Sequence, residues 1–125
     1  MLLEATTVLE YNSEFSSGYA PQWPESEAAL IQLCNPATRL YDGVDLNEKH
    51  QRFIEALLFV SPFRNGNHRT TAKVKKYYED TYGSTLTSEP YVFDHEGKWA
   101  TTPRGELIIK WFYEEFNDAP TTEDY

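Results

Sequence analysis

Apolar residues recur at helical spacing along much of the chain, and the clearest example is residues 48–60. An apolar face this wide predicts a helix at the centre of the core, with Asn47 as its N-cap. The helix cannot continue past Ser61, because Pro62 lacks an N–H and its ring would clash with the carbonyl of Leu58. The apolar positions of this helix are Phe53, Ile54, Ala56, Leu57, Leu58 and Val60.

Three further helices are predicted from capping residues combined with the same periodicity. Ser26 is a favourable N-cap for a short helix. Gly83 is a typical C-terminal stop, and Pro103 is of the type favoured at a first helical position. With the central helix, these elements make a mainly α fold. The three helices run from Ser26 through Leu33, from about Arg69 to Gly83, and from Thr102-Pro103 through Phe116.

Weaker patterns predict the connections between the helices. Residues 11–24 are rich in Ser, Gly, Pro, Tyr and Trp, which indicates an extended connection. Arg39 to Leu46 contains an Asp-Gly turn between apolar residues, which favours a short β-hairpin. Pro90 to Trp99 indicates either two short extended segments or an ordered loop.

The length of 125 residues is that of one domain, which we place over residues 1–116. Residues 117–125 are an acidic tail that we expect to fray. Hydrophobic residues make up 40% of the chain, enough to fill a core. The lone Cys34 cannot form an internal disulfide, which favours a reducing cytoplasm. The longest apolar stretch, Ala56 to Val60, is far shorter than the roughly 20 residues that a membrane-spanning helix needs.

Charge is distributed unevenly along the chain, whose net charge is −9. Residues 49–76 contain seven basic residues and one acid, Glu55, and carry +6, so the remainder carries −15. An overall acidic protein is a poor general nucleic-acid binder. The basic region, in contrast, would attract an anion such as phosphate, unless it is an ordinary solvated helix face.

Residues 61–68, between the central predicted helix and the helix predicted from about Arg69 to Gly83, have the features of a phosphate site. Asn65-Gly66-Asn67 tolerates the positive φ of a tight loop and leads into a helix N-terminus. Such a terminus has unpaired N–H groups and about half a positive charge. Arg64 and Arg69 flank it and can donate several hydrogen bonds to phosphate oxygens, while His68 adds a further donor.

The same segment, residues 61–69, reads Ser-Pro-Phe-Arg-Asn-Gly-Asn-His-Arg and resembles the signature of the Fic/Doc family. That signature runs His, any residue, Phe, any residue, Asp or Glu, Gly, Asn, any residue, Arg, and lies between two helices. The resemblance covers residues 47–80 and implies a Fic-like helical bundle with a small β-hairpin flap. The positions in register are Pro62, Phe63, Gly66, Asn67 and Arg69.

The resemblance implies a transferase that moves AMP, or a related phosphate-containing group, from ATP to a protein hydroxyl. Phe63 would anchor the loop in the core, and Gly66 and Asn67 would form an anion hole. Arg69 would contact phosphate. Together with Arg64, which flanks the helix start, and Asn65, the predicted nucleotide- and phosphate-binding residues are Arg64, Asn65, Gly66, Asn67 and Arg69. Arg39 to Leu46 would be the flap, which docks the target protein by strand pairing.

Two departures from the signature affect catalysis. Ser61 stands where the family has its general base, and a hydroxyl has no basic pair near neutral pH. Loss of the base costs about 10²- to 10⁴-fold, so we expect slow transfer. Ser61 and His68 are therefore the candidate catalytic residues, with His68 as a displaced base. His50 and His95 are the other histidines considered for that role.

The second departure concerns metal and phosphate ligands. Asn65 replaces the family's magnesium-binding acid, and a neutral amide oxygen is a weaker ligand for Mg²⁺, so the support for magnesium is weak. The family's second arginine corresponds to Ala72, so Lys73 or Arg64 would have to contact the γ-phosphate.

Three functions remain open at this stage: a Fic-type transferase, a degenerate Fic-fold regulator that binds nucleotide or protein without turnover, and a helix-turn-helix DNA binder. The last is disfavoured because residues 61–68 exceed the usual three- or four-residue turn and include a proline. The resemblance leaves room for an inhibitory partner of the toxin–antitoxin kind. Thr6 to Glu10 and Thr102 to Glu106 match only part of the family's inhibitory helix pattern.

Overall fold

The computed structural model describes residues 2–15, 26–87, 91–93, 99–101 and 103–118. Helices predominate in these ranges, which confirms the mainly α prediction. The helices are α1 (Ala5–Ser13), α2 (Ser26–Leu33), α3 (Leu46–Val60), α4 (Asn67–Tyr82) and α5 (Pro103–Asp118). A 3₁₀ helix spans Arg39–Tyr41, and strands β1 (Tyr91–Phe93) and β2 (Trp99–Thr101) pair antiparallel.

Helix α3 ends where the sequence predicts but begins earlier. Its last residue is Val60, and Ser61 caps it in the left-handed region at φ 49°. The N-cap is Asp45 and not Asn47, because the Asp45 carboxylate accepts a hydrogen bond from the Glu48 amide at 2.8 Å. The Asn47 side chain instead bonds the backbone of Thr85 through both its oxygen and its nitrogen.

The predicted hairpin over Arg39 to Leu46 is wrong. The segment forms the 3₁₀ helix and a turn, and it joins α3 at Leu46. Leu40 and Tyr41 are both buried, whereas neighbouring residues of an exposed hairpin would face opposite sides. The Tyr41 hydroxyl also donates to the carbonyl of Leu33 at 2.6 Å, which fixes the segment against α2. This segment therefore offers no strand edge to a target protein.

Helix α3 lies at the centre of the core, as its apolar pattern predicts. It packs against α2, α4 and α5, while α1 packs on α4. The Tyr78 ring of α4 stacks edge-on against Phe53 of α3, and its hydroxyl accepts a hydrogen bond from the Leu3 amide at 3.1 Å. The α3–α4 contact thus holds the two helices that border the candidate loop.

His50, one of the histidines considered as a base, is part of this core. Its ring is fully buried and lies parallel to Tyr78, with centroids 3.7 Å apart. Its Nδ1 is 2.7 Å from the Ser84 hydroxyl. His50 therefore has a packing role, whereas His95 lies outside the described residues.

An ionic cluster fastens α5 to α3. The Glu55 carboxylate is 2% exposed and accepts a hydrogen bond from Arg104 Nε at 2.7 Å. Arg104 also pairs with Glu48, which in turn bonds Arg52 at 3.2 Å. A buried carboxylate left without its partner would be costly, so Arg104 fixes the register of the two helices.

The predicted extended connection, residues 11–24, and the predicted tail, residues 117–125, lie largely outside the described ranges. Residues 11–13 belong to α1, and residues 16–24 of the expected extended connection are not described. Helix α5 continues through Asp118, and residues 119–125 of the expected tail are not described. Within the described ranges, no helix combines the length and apolarity needed to cross a membrane.

Gly105 offers a test of the α3–α5 packing. A Cβ added there would lie 2.2 Å from Cζ of Phe59, so the ring would have to move. We expect Gly105→Ala to destabilise the protein by about 1–2 kcal/mol in urea unfolding, because overpacking outweighs the gain in helix propensity. In a Phe59→Ala background the same substitution should become stabilising. Destabilisation of equal size in both backgrounds would contradict this packing.

Candidate functional site

Six residues, Ser61–Gly66, connect α3 to α4. Pro62 and Phe63 are buried, and the Phe63 side chain has no exposed surface. Phe63 therefore anchors the loop in the core, as the resemblance implies. Arg64 and Asn65 follow at the exposed tip of the loop.

The Asn67 side chain clamps the loop from the first turn of α4. Its Oδ1 accepts a hydrogen bond from the Phe63 amide at 3.0 Å, and its Nδ2 donates to the Phe63 carbonyl at 2.6 Å. One amide side chain thus satisfies both backbone groups of one residue. The Asn67 side chain is held by the loop, so it shapes the loop, and the Asn67 backbone amide donates to no acceptor among the described residues.

The first turn of α4 has no side-chain cap. Gly66 occupies the N-cap position at φ 79°, and its carbonyl accepts the Thr70 amide at 2.8 Å. Among the described residues, the amides of Gly66, Asn67 and Arg69 donate to no acceptor. These donors, together with the positive end of the helix dipole, suit an anion.

Arg64, at the tip of the loop, and Arg69, in the first turn of α4, are both exposed. Within the described ranges neither forms an ion pair, which is the arrangement expected of phosphate ligands. The lysines of α4, in contrast, are paired with acids. The pairs are Lys73 with Glu14, Lys75 with Glu79 at 3.0 Å, and Lys76 with Asp80 at 2.9 Å.

These pairs change the interpretation of the basic region. Lys73 also lies over the Tyr11 ring, 4.6 Å from its centroid, so it is fixed against α1 and is a poor substitute for the missing arginine. The pairing also weakens the helix-turn-helix interpretation, since a recognition helix presents free cations to DNA. The unpaired positive charge of α4 is therefore concentrated at its N-terminus.

Helix α1 supplies a residue that the sequence did not reveal as part of the site. Asn12 is 1% exposed, and its Nδ2 donates to the Asn65 carbonyl at 2.8 Å and to the Thr70 hydroxyl at 3.2 Å. A Cβ added to Gly66 would lie 3.1 Å from this nitrogen and 3.2 Å from Cβ of Phe15. The only available signal was a polar residue on the buried face of a helix, 53 residues before its partner.

The two candidate catalytic residues lie at opposite ends of the loop. The Ser61 hydroxyl is half-buried and donates to the Leu58 carbonyl at 2.6 Å. His68 is exposed on the first turn of α4, beside the unpaired amides. Of the two, only His68 carries a ring nitrogen that can accept a proton.

The loop does not fit a magnesium ion. Mg²⁺ is bound by oxygen ligands, usually with one or two carboxylates, and Asn65 supplies only a neutral amide. No group of three or more His, Cys, Asp or Glu residues that could hold a metal occurs among the described residues.

A small cavity lies between α3 and α4, next to the loop. Its volume is about 70 Å³, against about 150 Å³ for a cavity that admits benzene, so it is too small for a nucleobase. Thr71 lines it, is 7% exposed, and its hydroxyl has no hydrogen-bond partner among the described residues. The lining residues are Ile54, Leu58, His68, Thr71, Ala72, Lys75 and Thr87.

A larger cavity of about 300 Å³ lies between the 3₁₀ helix, α3 and α5, lined by Arg39, Arg52, Trp111 and Glu114. Both arginines are already occupied. Arg39 pairs with Glu115, and Arg52 lies over the Trp111 ring at 4.9 Å from its centroid. Size alone would favour this cavity, but Arg39 and Arg52 are paired with Glu115 and Glu48, so the loop is the better candidate for binding an anion.

Comparison with known proteins adds no assignment, because no family model, no curated protein and no solved structure matches the chain.

Removing the Asn67 clamp tests its role in shaping the loop. Asn67→Ala removes both side-chain hydrogen bonds to the Phe63 backbone, and we expect it to lower the free energy of unfolding by about 1–3 kcal/mol. Asn65→Ala is the matched control, because the Asn65 side chain is exposed and forms no hydrogen bond among the described residues. It should change stability by less than about 0.5 kcal/mol. Equal effects of the two variants on urea unfolding would contradict the clamp.

The environment of Cys34 makes its thiol a poor nucleophile. Burial raises the pKa of its thiol to about 12, so at pH 8 the thiolate population is roughly a thousandfold below that of a thiol with an ordinary pKa. We expect negligible alkylation by iodoacetamide in the native protein at pH 8 and rapid alkylation in guanidinium chloride. Rapid native alkylation, read by mass spectrometry, would show that the thiol is accessible.

Proposed function

We propose that the chain binds the phosphates of a nucleotide at the start of α4 and transfers AMP, or a related phosphate-containing group, slowly to a protein hydroxyl. The observation that carries the proposal is the uncapped first turn of α4. There the amides of Gly66, Asn67 and Arg69 donate to no acceptor among the described residues. A Fic-like function would use these donors as its anion site.

The charges beside this turn support phosphate over other anions. Arg64 and Arg69 present two guanidinium groups, each able to form two parallel hydrogen bonds with phosphate oxygens. Two such cations suit a polyphosphate better than a single carboxylate. The adjoining cavity is smaller than a nucleobase, so the nucleoside would lie outside that cavity. The contacts that the described residues offer would therefore be to the phosphates.

The transfer itself needs little covalent chemistry from the protein. The oxygen of a target hydroxyl attacks the α-phosphorus of ATP, the bond to the bridging oxygen breaks, and pyrophosphate leaves with that electron pair. The hydroxyl proton passes to His68 or to solvent. The amides and arginines hold the phosphates in place and stabilise the developing negative charge, which supplies most of the rate in such reactions.

Binding without turnover is the second candidate, and one contact favours it. The Ser61 hydroxyl donates to the Leu58 carbonyl at 2.6 Å and has no basic pair, so the position of the family's base holds a group that cannot accept a proton. A protein of this kind would act as a nucleotide-dependent regulator.

Restoring a base at position 61 separates these candidates. The left-handed conformation at φ 49° is tolerated by His and by Asn, so both substitutions fit the backbone. We expect Ser61→His to increase label transfer from α-labelled ATP to candidate targets by about 10²- to 10⁴-fold. Ser61→Asn, which cannot accept a proton, should give no increase.

The controls decide between binding and catalysis. Asn67→Ala should abolish both label transfer and ATP binding, because the loop loses its clamp. ATP binding in calorimetry with no transfer, even by Ser61→His, would support the regulator and contradict the transferase. If the wild-type protein binds no ATP, the phosphate site itself is wrong.

A further inference from the structure

Asn12 ties α1 to the backbone of the loop. Its side chain is 1% exposed and donates to the Asn65 carbonyl at 2.8 Å, and it donates again to the Thr70 hydroxyl at 3.2 Å. Both N–H donors of the Asn12 side chain are thus used, one on Asn65, which precedes the N-cap residue of α4, and one on Thr70 in the first turn of α4. The Asn65 carbonyl therefore points towards α1.

The direction of this carbonyl determines the direction of the next amide. In a trans peptide the C=O and N–H groups point in opposite directions within one plane. Since the Asn65 carbonyl faces Asn12, the Gly66 N–H faces away from α1. In this orientation it donates to no acceptor among the described residues and lies beside the unpaired Asn67 amide.

The sequence of the loop does not by itself fix this orientation. Rotating the Asn65–Gly66 peptide would change φ of Gly66, now 79°, and glycine accepts either sign of φ at little cost. In the reversed orientation a carbonyl oxygen would replace the Gly66 N–H and would repel an anion. A contact from outside the loop has to select one orientation, and Asn12 makes that contact.

We infer that Asn12 is a positioning residue that holds the Asn65–Gly66 peptide with its N–H towards the phosphate site. The consequence for binding rests on the proposed function, whereas the hold on the peptide does not. Gly66 then adds its N–H to those of the first turn of α4, which gives the alternating left- and right-handed backbone that binds anions through successive amides.

The test measures pyrophosphate binding by calorimetry for the wild-type protein, Asn12→Ala and Val8→Ala. Val8 is fully buried in the same helix and belongs to the apolar core, so its truncation destabilises α1 without removing the bond to Asn65. We expect Asn12→Ala to weaken binding by about tenfold or more, since an anion loses one oriented donor. Val8→Ala should bind within about twofold of the wild type at a temperature where both are folded.

A second readout follows the peptide without any ligand. The Gly66 amide resonance in ¹⁵N spectra should shift or broaden in Asn12→Ala and stay in place in Val8→Ala. Asn12→Asp keeps the shape of the side chain but replaces the N–H donor with an oxygen, so it should move the same resonance if the alanine variant does not fold.

The outcomes are distinguishable. If Asn12→Ala keeps both the Gly66 resonance and the wild-type pyrophosphate affinity, the inference is wrong. The same holds if Val8→Ala loses as much affinity as Asn12→Ala, because the effect would then be one of stability alone. If the wild type binds no pyrophosphate, the proposed function fails, and the Gly66 resonance still decides whether Asn12 holds the peptide.

Discussion

The local structure of the site depends on how the chain turns between two packed helices. Phe63 is fixed in the core, Asn67 bonds both backbone groups of Phe63, and Gly66 takes the left-handed conformation that lets α4 begin at once. The N-cap residue of α4, Gly66, has no side chain that could accept hydrogen bonds from the first amides of the helix. Unpaired amides at the start of α4 are a direct consequence of this turn.

The electrostatic pattern explains how an acidic protein can offer a site for an anion. Acids at the C-cap of α1 and within α4 pair with the lysines along α4, as in the pairs of Lys73 with Glu14 and Lys75 with Glu79. The exposed Arg64 and Arg69 have no such partners among the described residues. Positive charge therefore remains where the helix dipole is also positive, and the two effects add.

Features set by short-range chemistry could be predicted from the sequence. Pro62 dictates the end of α3, Gly83 caps α4 in the left-handed region, and Pro103 opens α5. The candidate loop belongs to this class, since the positive φ of Gly66 and the start of α4 directly after it follow from consecutive residues.

Features set by distant contacts could not be predicted in the same way. Arg39 to Leu46 contains a turn sequence that favours a hairpin. The burial of Tyr41 against α2 and its hydrogen bond to Leu33 favour the 3₁₀ helix instead, and this preference prevails. Asp45 and Asn47 are both good caps, and the bond between Asn47 and Thr85 decides between them. Asn12 joins the site across 53 residues of sequence, and no local pattern records that contact.

The most direct test of the account is a titration of the ¹⁵N-labelled protein with ATP, followed through its backbone amide resonances. The account predicts progressive, saturable downfield shifts at Gly66, Asn67 and Arg69, with little change for the amides in the middle of α4, because phosphate oxygens accept hydrogen bonds only at the uncapped turn. Unchanged resonances at these three residues under saturating ATP, or shifts centred on the cavity beside Trp111, would contradict it.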